Sequence, residues 1–278
     1  MKMTISQLHE LQLKMIEKLD TYCATNNCAF FAVDGTLLGA VKYKGFIPWD
    51  DDMDVALPRE EFEKLIACDD FKRGRYRIFS YKDQGFPFPY AKMIDTENTS
   101  VCVSFEGWEE DSELCVAMDI YPIDGLGRSE RDARRILQGV EMRKQIYQIV
   151  MESDKSKNPI KRAVKAVIKG VFKDTIARQL GNSLYKAELK ESAYITGWRA
   201  PYKENVYKKE QWFGTPQEMK FENMTLRVPS DWDLILRSVY GDYEAPPSDH
   251  SDKGSRHANN RQSVMFTAFL KKQLSENN

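Results

Sequence analysis

Four aspartates stand within five positions in Asp50-Asp51-Asp52-Met53-Asp54, and the apolar run Val55-Ala56-Leu57 follows at once. Like charges packed this closely repel, so a fold that holds them must bring a cation or a basic ligand to them, or leave them in a solvated turn. The alternation of acid and apolar residues predicts a strand. Residues i and i+2 of a strand share a face, so Asp52 and Asp54 would project side by side while Met53 and Val55 enter the core. Two carboxylates at that spacing can hold a divalent cation. A third acid, Asp119, interrupts the apolar run Val116-Ala117-Met118-Asp119-Ile120-Tyr121, where a charge demands a partner, and it would complete a three-carboxylate metal site.

Composition narrows the chemistry further. The three histidines, His9, His250 and His257, fall in a helical pattern and a polar tail, which leaves a histidine-based zinc site or a Ser-His-Asp triad hard to build. Five cysteines, Cys23, Cys28, Cys68, Cys102 and Cys115, form no C-x-x-C pair and read as reduced, buried thiols of a cytoplasmic protein. With 41 Lys+Arg against 42 Asp+Glu the net charge is −1, which argues against a nucleic-acid coat. No segment approaches the ~18 consecutive apolar residues of a spanning helix, so the chain is expected to be neither secreted nor spanning.

Two motif matches fail on their chemistry. Val33-Asp34-Gly35-Thr36-Leu37 imitates the D-x-D-G-T of haloacid-dehalogenase phosphatases, but Ala32 stands where the nucleophile belongs. Asp50, Asp52, Asp54 and Glu61 imitate an EF-hand loop, yet Val55 occupies the place where the loop needs glycine for its turn.

Along the chain, Thr4 and Gln7 read as a capping box ahead of an amphipathic packing helix to about Cys23. Residues 29–33 read as a buried strand, which Asp34-Gly35-Thr36 turns into a short helix, and Pro58 opens a helix over 59–67. Further strands are expected at 76–80, 90–94, 100–105 and 114–121. Ser129, with Asp132, caps a long helix to about 151, and 159–190 reads as one or two more, with the second half helical until Trp212. Residues 212–227 read as short strands or turns, Ser230 caps a helix to Tyr240, and the tail from Pro246 reads as polar and loose. The expected fold class is α+β, with a mixed sheet flanked by helices and a helical second half. The expected organisation is a core over 1–128, a helical subdomain over 129–200 and a part packing back on the core over 201–278.

The stretch Gly35-Thr36-Leu37-Leu38-Gly39-Ala40-Val41-Lys42-Tyr43-Lys44-Gly45-Phe46-Ile47-Pro48-Trp49-Asp50-Asp51-Asp52-Met53-Asp54-Val55 resembles the signature of the LicD family, relatives of fukutin within the nucleotidyltransferase superfamily. Ala91-Lys92-Met93-Ile94-Asp95, Met118-Asp119-Ile120-Tyr121-Pro122-Ile123-Asp124 and Tyr240-Gly241-Asp242-Tyr243 resemble the family's later blocks in the same order. The resemblance implies a nucleotidyltransferase-like core and transfer of a phospho-alcohol, phosphocholine foremost, from a CDP-activated donor with release of CMP. The implied acceptor is a sugar hydroxyl of a glycan or lipid-linked glycan precursor of lipopolysaccharide, teichoic acid or capsule. Carried over by residue, the superfamily's Gly-Thr turn falls on Gly35 and Thr36, its metal-binding acid pair on Asp52 and Asp54, and its third acid on Asp119, with Mg²⁺ or Mn²⁺ as the ion. Where family members often have Arg-His, this chain has Lys42-Tyr43, with Lys42 the candidate phosphate contact.

In such a site the metal on Asp52, Asp54 and Asp119 would neutralise the diphosphate, and N–H groups near Gly35 and Thr36 would meet a phosphate oxygen. Asp119 is the candidate general base. Lys92 reads either as a phosphate ligand or as an ordinary strand lysine, and Arg59 as a first-turn surface residue. Phe46, Trp49, Tyr90 and Trp108 are candidates for a cage around a quaternary ammonium, Trp49 foremost because it adjoins the acids, with core packing as the alternative for the others. Tyr240-Gly241-Asp242 reads as a helix C-cap. Alternatives for the reaction are nucleotidyl transfer from an NTP with release of pyrophosphate, use of CDP-glycerol or CDP-ribitol, and an inactive binding protein on the same fold.

Residues 155–190 carry ten basic side chains against Asp174 and Glu188. Interleaved with Ile160, Val164, Val167, Ile168, Val171 and Phe172, they describe a basic amphipathic helix. It fits either a helix packed on the domain with a solvated basic face or one lying on anionic lipid at the inner face of the membrane.

Overall fold

The computed structural model describes residues 1–104, 111–151, 158–184, 187–196, 206–215, 217–245 and 261–275. In chain order the elements are β1 (Lys2–Thr4), α1 (Ile5–Asn26), β2 (Phe31–Ala32), α2 (Asp34–Lys42), β3 (Asp54–Pro58), α3 (Arg59–Ala67), β4 (Tyr76–Ser80), β5 (Ala91–Asp95), β6 (Val101–Ser104), β7 (Asp111–Leu114) and β8 (Ala117–Gly125). They continue with α4 (Glu130–Met151), α5 (Pro159–Phe172), α6 (Ile176–Leu184), β9 (Tyr194–Thr196), β10 (Val206–Lys208), α7 (Lys209–Phe213), β11 (Gln217–Phe221), β12 (Met224–Val228), α8 (Trp232–Tyr240) and α9 (Arg261–Ser275). The class is α+β, as expected, with mixed sheets flanked by helices.

The main sheet is organised around β8. Strand β3 pairs with it in parallel, Asp54 beside Asp119 through Pro58 beside Ile123. On the other side β5 pairs antiparallel with the first half of β8 and β9 with its end. Met118 and Ile120 of β8 are fully buried, as are Val55 and Leu57 of β3. Helix α1 starts on the expected capping box, with the Gln7 amide donating to Thr4 Oγ1 at 3.3 Å and the Thr4 amide to Gln7 Oε1 at 2.8 Å. It buries Leu8, Met15, Ile16, Leu19 and Cys23 at helical spacing. A second apolar cluster joins Phe79, Phe86 and Phe88 to Val140, Tyr147 and Val150 of α4, Leu180 of α6 and Phe266, Phe269 and Leu270 of α9.

Several expectations are corrected. The strand carrying the acids begins only at Asp54, because Asp50–Met53 form the loop that enters it, so Asp52 lies outside the i, i+2 argument. The first buried strand shrinks to Phe31–Ala32, and the strand expected at 114–121 divides into β7 and β8. The second half holds strands β9 and β10 ahead of Trp212. Asp231, not Ser230, is the N-cap of α8; the Ser230 hydroxyl instead donates to the Thr215 and Trp212 carbonyls at 2.9 and 3.3 Å. The tail holds helix α9, whose Phe266, Phe269 and Leu270 recur at i, i+3 and i+4 and bury against the second cluster. All five cysteines are free thiols, but only Cys23 is buried; the others are half-buried.

Arg59 is also corrected, since it is fully buried rather than on the surface. The parallel register of β3 and β8, extended by one residue, sets it opposite Asp124. Its Nε and Nη2 donate to Asp124 Oδ1 and Oδ2 at 2.6 and 2.8 Å, a bidentate pair that ties α3 to the end of β8. Its Nη1 donates to Glu63 Oε1 at 3.0 Å. Burial would raise the Glu63 pKa, but donation from Lys82 and Tyr81 and the charge of Arg59 outweigh it and hold this carboxyl below its usual value.

Candidate active site

The registers of three neighbouring strands place Asp54 of β3 beside Asp119 of β8, and Asp119 beside Lys92 of β5. The result is a row of acid, acid and base across one face of the sheet. Two like charges directly opposite one another are destabilising. Two groups offset this. Lys92 Nζ donates to Asp119 Oδ1, and the Tyr121 hydroxyl lies 3.3 Å from Asp54 Oδ1 and 3.2 Å from Asp119 Oδ2, sharing its proton between them. Burial, together with the charges of Asp119 and Asp54, pushes the Tyr121 phenol well above its usual pKa, so it stays a donor. Tyr90, its ring tilted against Tyr121 at 4.6 Å, is raised in the same way by burial and by Asp119.

Backbone contacts fix the row. The Asp54 amide donates to Thr36 Oγ1 at 2.8 Å, the Val33 amide to the Asp54 carbonyl at 3.3 Å, and the Asp119 amide to the Met53 carbonyl at 2.8 Å. Thr36 thus acts through its hydroxyl on the start of β3. Gly35 opens the first turn of α2, where a Cβ would sit 2.5 Å from Asp50 Oδ2. The close approach that requires glycine here is that of the Asp50 carboxylate, an anion at a helix N-terminus, where the dipole favours negative charge.

The loop before β3 is held from α1. His9 Nε2 is 2.8 Å from the Asp50 carbonyl, with its ring stacked on Phe46 at 4.0 Å, and Gln12 Nε2 donates to the Asp51 carbonyl at 3.1 Å. Burial holds the His9 imidazole below its usual pKa, against the Asp50 hydrogen bond and the charges of Glu222 and Asp51. Carboxylate oxygens of Asp50, Asp51 and Asp52 lie within 4.8 Å of one another, the group of three metal-ligating side chains found among the described residues. Asp52 is therefore gathered with its loop neighbours, whereas Asp54 and Asp119 meet at Tyr121.

The remaining candidates lie apart from the row. Lys42 Nζ donates to the Tyr243 carbonyl at 2.9 Å, tying α2 to the chain after α8. Trp49 is half-buried, edge-on to Tyr43 at 6.0 Å. Phe46 packs between His9 and Phe221. Trp108 lies outside the described residues. Beside the row, Phe88, Phe266 and Tyr90 lie 5.2, 5.4 and 5.8 Å from Lys92 Nζ, so the aromatic surroundings here hold a cation of the protein itself. Sequence reasoning missed Tyr121, although its place two residues after Asp119 puts both on one face. It also missed Gln12, a polar residue in the middle of an apolar helix face.

Residues 27–129 match the LicD/FKTN/FKRP nucleotidyltransferase domain. The chain is 22% identical over 270 residues to the lipopolysaccharide cholinephosphotransferase LicD of Haemophilus influenzae, an alignment covering 91% of this chain and 96% of that protein. Shorter matches reach an uncharacterized protein of Rickettsia typhi, 38% identical over 79 residues (27% of this chain, 25% of that protein). Another, of Rickettsia prowazekii, is 40% identical over 62 residues (22% and 23%). The cross-strand row of Asp54, Asp119 and Lys92, the loop of Asp50–Asp52 and the opening turn of α2 all fall within the residues over which the chain is similar to the LicD/FKTN/FKRP nucleotidyltransferase domain.

Proposed function

We propose that the protein transfers a phospho-alcohol group, phosphocholine foremost, from a CDP-activated donor to a sugar hydroxyl of a cell-surface glycan precursor. The observation that carries this is the pairing of Asp54 and Asp119 on adjacent strands in a chain aligned over nearly its whole length with a cholinephosphotransferase. In the reaction the sugar oxygen forms a bond to the phosphorus that bears the alcohol, and the bond from that phosphorus to CMP breaks. The hydroxyl proton passes to a carboxylate of the row, with Asp119 the candidate, and CMP leaves.

The donor set suits a hard divalent cation, since Asp54 and Asp119 offer carboxylate oxygens side by side and Asp52 stands on the loop entering the same strand. Mg²⁺ or Mn²⁺ held there would supply charge neutralisation for the diphosphate. Tyr121 would keep the two carboxylates aligned, and Lys92, on the far side of Asp119, would present a positive charge to the donor's phosphate. Thr36 would hold Asp54 through its backbone. Lys42 and Trp49 keep structural contacts in this arrangement, and no step is assigned to them.

The test is thermal stabilisation by CDP-choline, CDP-glycerol, CDP-ribitol and CTP, with Mg²⁺ and with EDTA, followed by product analysis with a glycan acceptor. Metal-dependent stabilisation by one CDP-alcohol above CTP, with CMP released and activity lost in Asp54→Asn and Asp119→Asn, is the expected result. Stabilisation by CTP alone with pyrophosphate as product would replace this reading with nucleotidyl transfer.

A further inference from the structure

Helix α5 shows solvent the face that an amphipathic helix ordinarily buries. Ile160, Val164, Val167 and Val171 are 73%, 54%, 66% and 63% exposed. Their spacing of four, three and four places them on one stripe, and Ala163, Ala166 and Gly170, also exposed, widen it. The helix meets the protein through another side, where Ile168 and Phe172 are half-buried against the second cluster. Lys161, Arg162, Lys165 and Lys169 lie on the helix, Lys173 follows it, and Pro159–Phe172 contains no acid. At about 100° per residue, Lys161 borders the stripe on one edge, and Arg162 and Lys173 approach the other.

We propose that α5 docks on an anionic lipid surface. The apolar stripe would enter the boundary between headgroups and acyl chains, while the bordering basic residues reach the phosphates on either side. With 14 residues the helix is about 21 Å long, shorter than the ~30 Å hydrocarbon core. It would therefore lie in the interface plane, and no described helix is long and apolar enough to cross a membrane. A second copy fits less well, because pairing α5 with itself would oppose two basic helices without an acid on either. The surface would hold the protein beside lipid-linked acceptors, whichever group is transferred.

The experiment is co-sedimentation of the full chain with vesicles of phosphatidylcholine alone and of phosphatidylcholine mixed with phosphatidylglycerol. Binding to the anionic vesicles at low salt is expected, with little on the zwitterionic ones and release at about 1 M salt, where the Debye length falls to about 3 Å. Lys161→Gln and Arg162→Gln should each lower the partition coefficient about fivefold, the equivalent of ~1 kcal/mol per charge. Val164→Asp with Val167→Asp should abolish binding while the circular dichroism spectrum and melting temperature hold, since both side chains are exposed. Wild-type protein left in the supernatant with anionic vesicles at low salt overturns the proposal, as does undiminished binding by the Val164→Asp, Val167→Asp variant. A dimer in light scattering that this variant dissociates, without vesicle binding, assigns the stripe to a second copy instead.

Discussion

Replacing Lys92 by methionine keeps a side chain of similar length and apolar stem and removes the ammonium that donates to Asp119. The Lys92 and Asp119 side chains are 16% and 8% exposed, so the pair is largely withdrawn from water. Breaking such a pair from one side costs about 3–5 kcal/mol when fully buried. The residual exposure and the Tyr121 hydroxyl, still 3.2 Å from Asp119, place the expected loss near the lower end, about 3 kcal/mol. At about 2–4 °C per kcal/mol for a chain of this size, the melting temperature in EDTA should fall by about 6–12 °C. The variant also takes the Lys92 charge away from Asp119 and its neighbour Asp54, so it should gain more from a divalent ion than the wild type, where the ion competes with the ammonium. A cation at 100 times its Kd returns about 2.7 kcal/mol, nearly the whole loss. Differential scanning fluorimetry of both proteins in EDTA and in saturating Mg²⁺ measures each quantity. A variant that melts with the wild type in EDTA, or gains no more from Mg²⁺ than the wild type, refutes the reasoning.

Three further outcomes follow from the same geometry. Arg59→Ala leaves Asp124 buried without its partner and should cost about 3–5 kcal/mol in urea denaturation, whereas Arg59→Met combined with Asp124→Leu should recover most of it. Gly35→Ala sets a methyl 2.5 Å from Asp50 Oδ2 and should destabilise by about 1–3 kcal/mol, with a parallel loss of transfer activity as the Asp50–Asp52 loop shifts. His9, held below its usual pKa by burial, binds fewer protons folded than unfolded. Its stabilising contribution is therefore complete above about pH 6.5 and declines as pH falls through 6.5 toward its folded value. Melting temperatures from about pH 7.5 to 5.5 should fall more steeply in the wild type than in His9→Gln.

What local pattern encodes was legible in the sequence, and what depends on strand pairing was not. The capping boxes at Thr4 and Ser129, the turn at Gly35 and the apolar run after Asp54 show in short windows, because their physics is local. That Asp119 needed a partner was readable from its apolar surroundings; that the partner is Lys92, with Tyr121 between Asp119 and Asp54, depends on the order β3, β8, β5, which no window contains. Asp52 was misplaced because four aspartates within five positions carry no mark of where the ladder starts. Arg59 read as a surface residue because a charged first turn usually is one, and its partner Asp124 lies on a strand paired across a long separation. Phe266, Phe269 and Leu270 stand at helical spacing in the sequence, but they lie in a tail whose polar start at Pro246 hides that short apolar face.

The ring of Phe266 over the Lys92 ammonium has a consequence for how the protein comes into being on the ribosome. The carboxylate row and the rest of the matched residues 27–129 are made early, but one wall around Lys92 belongs to α9, which is translated far later. A nascent chain with every acid already synthesised still lacks that wall, leaving Lys92 beside Phe88 and Tyr90 alone among these three rings and leaving Phe86 and Phe88 without the Phe266 ring. A product truncated before α9 would carry the acids of the candidate site without its finished surroundings.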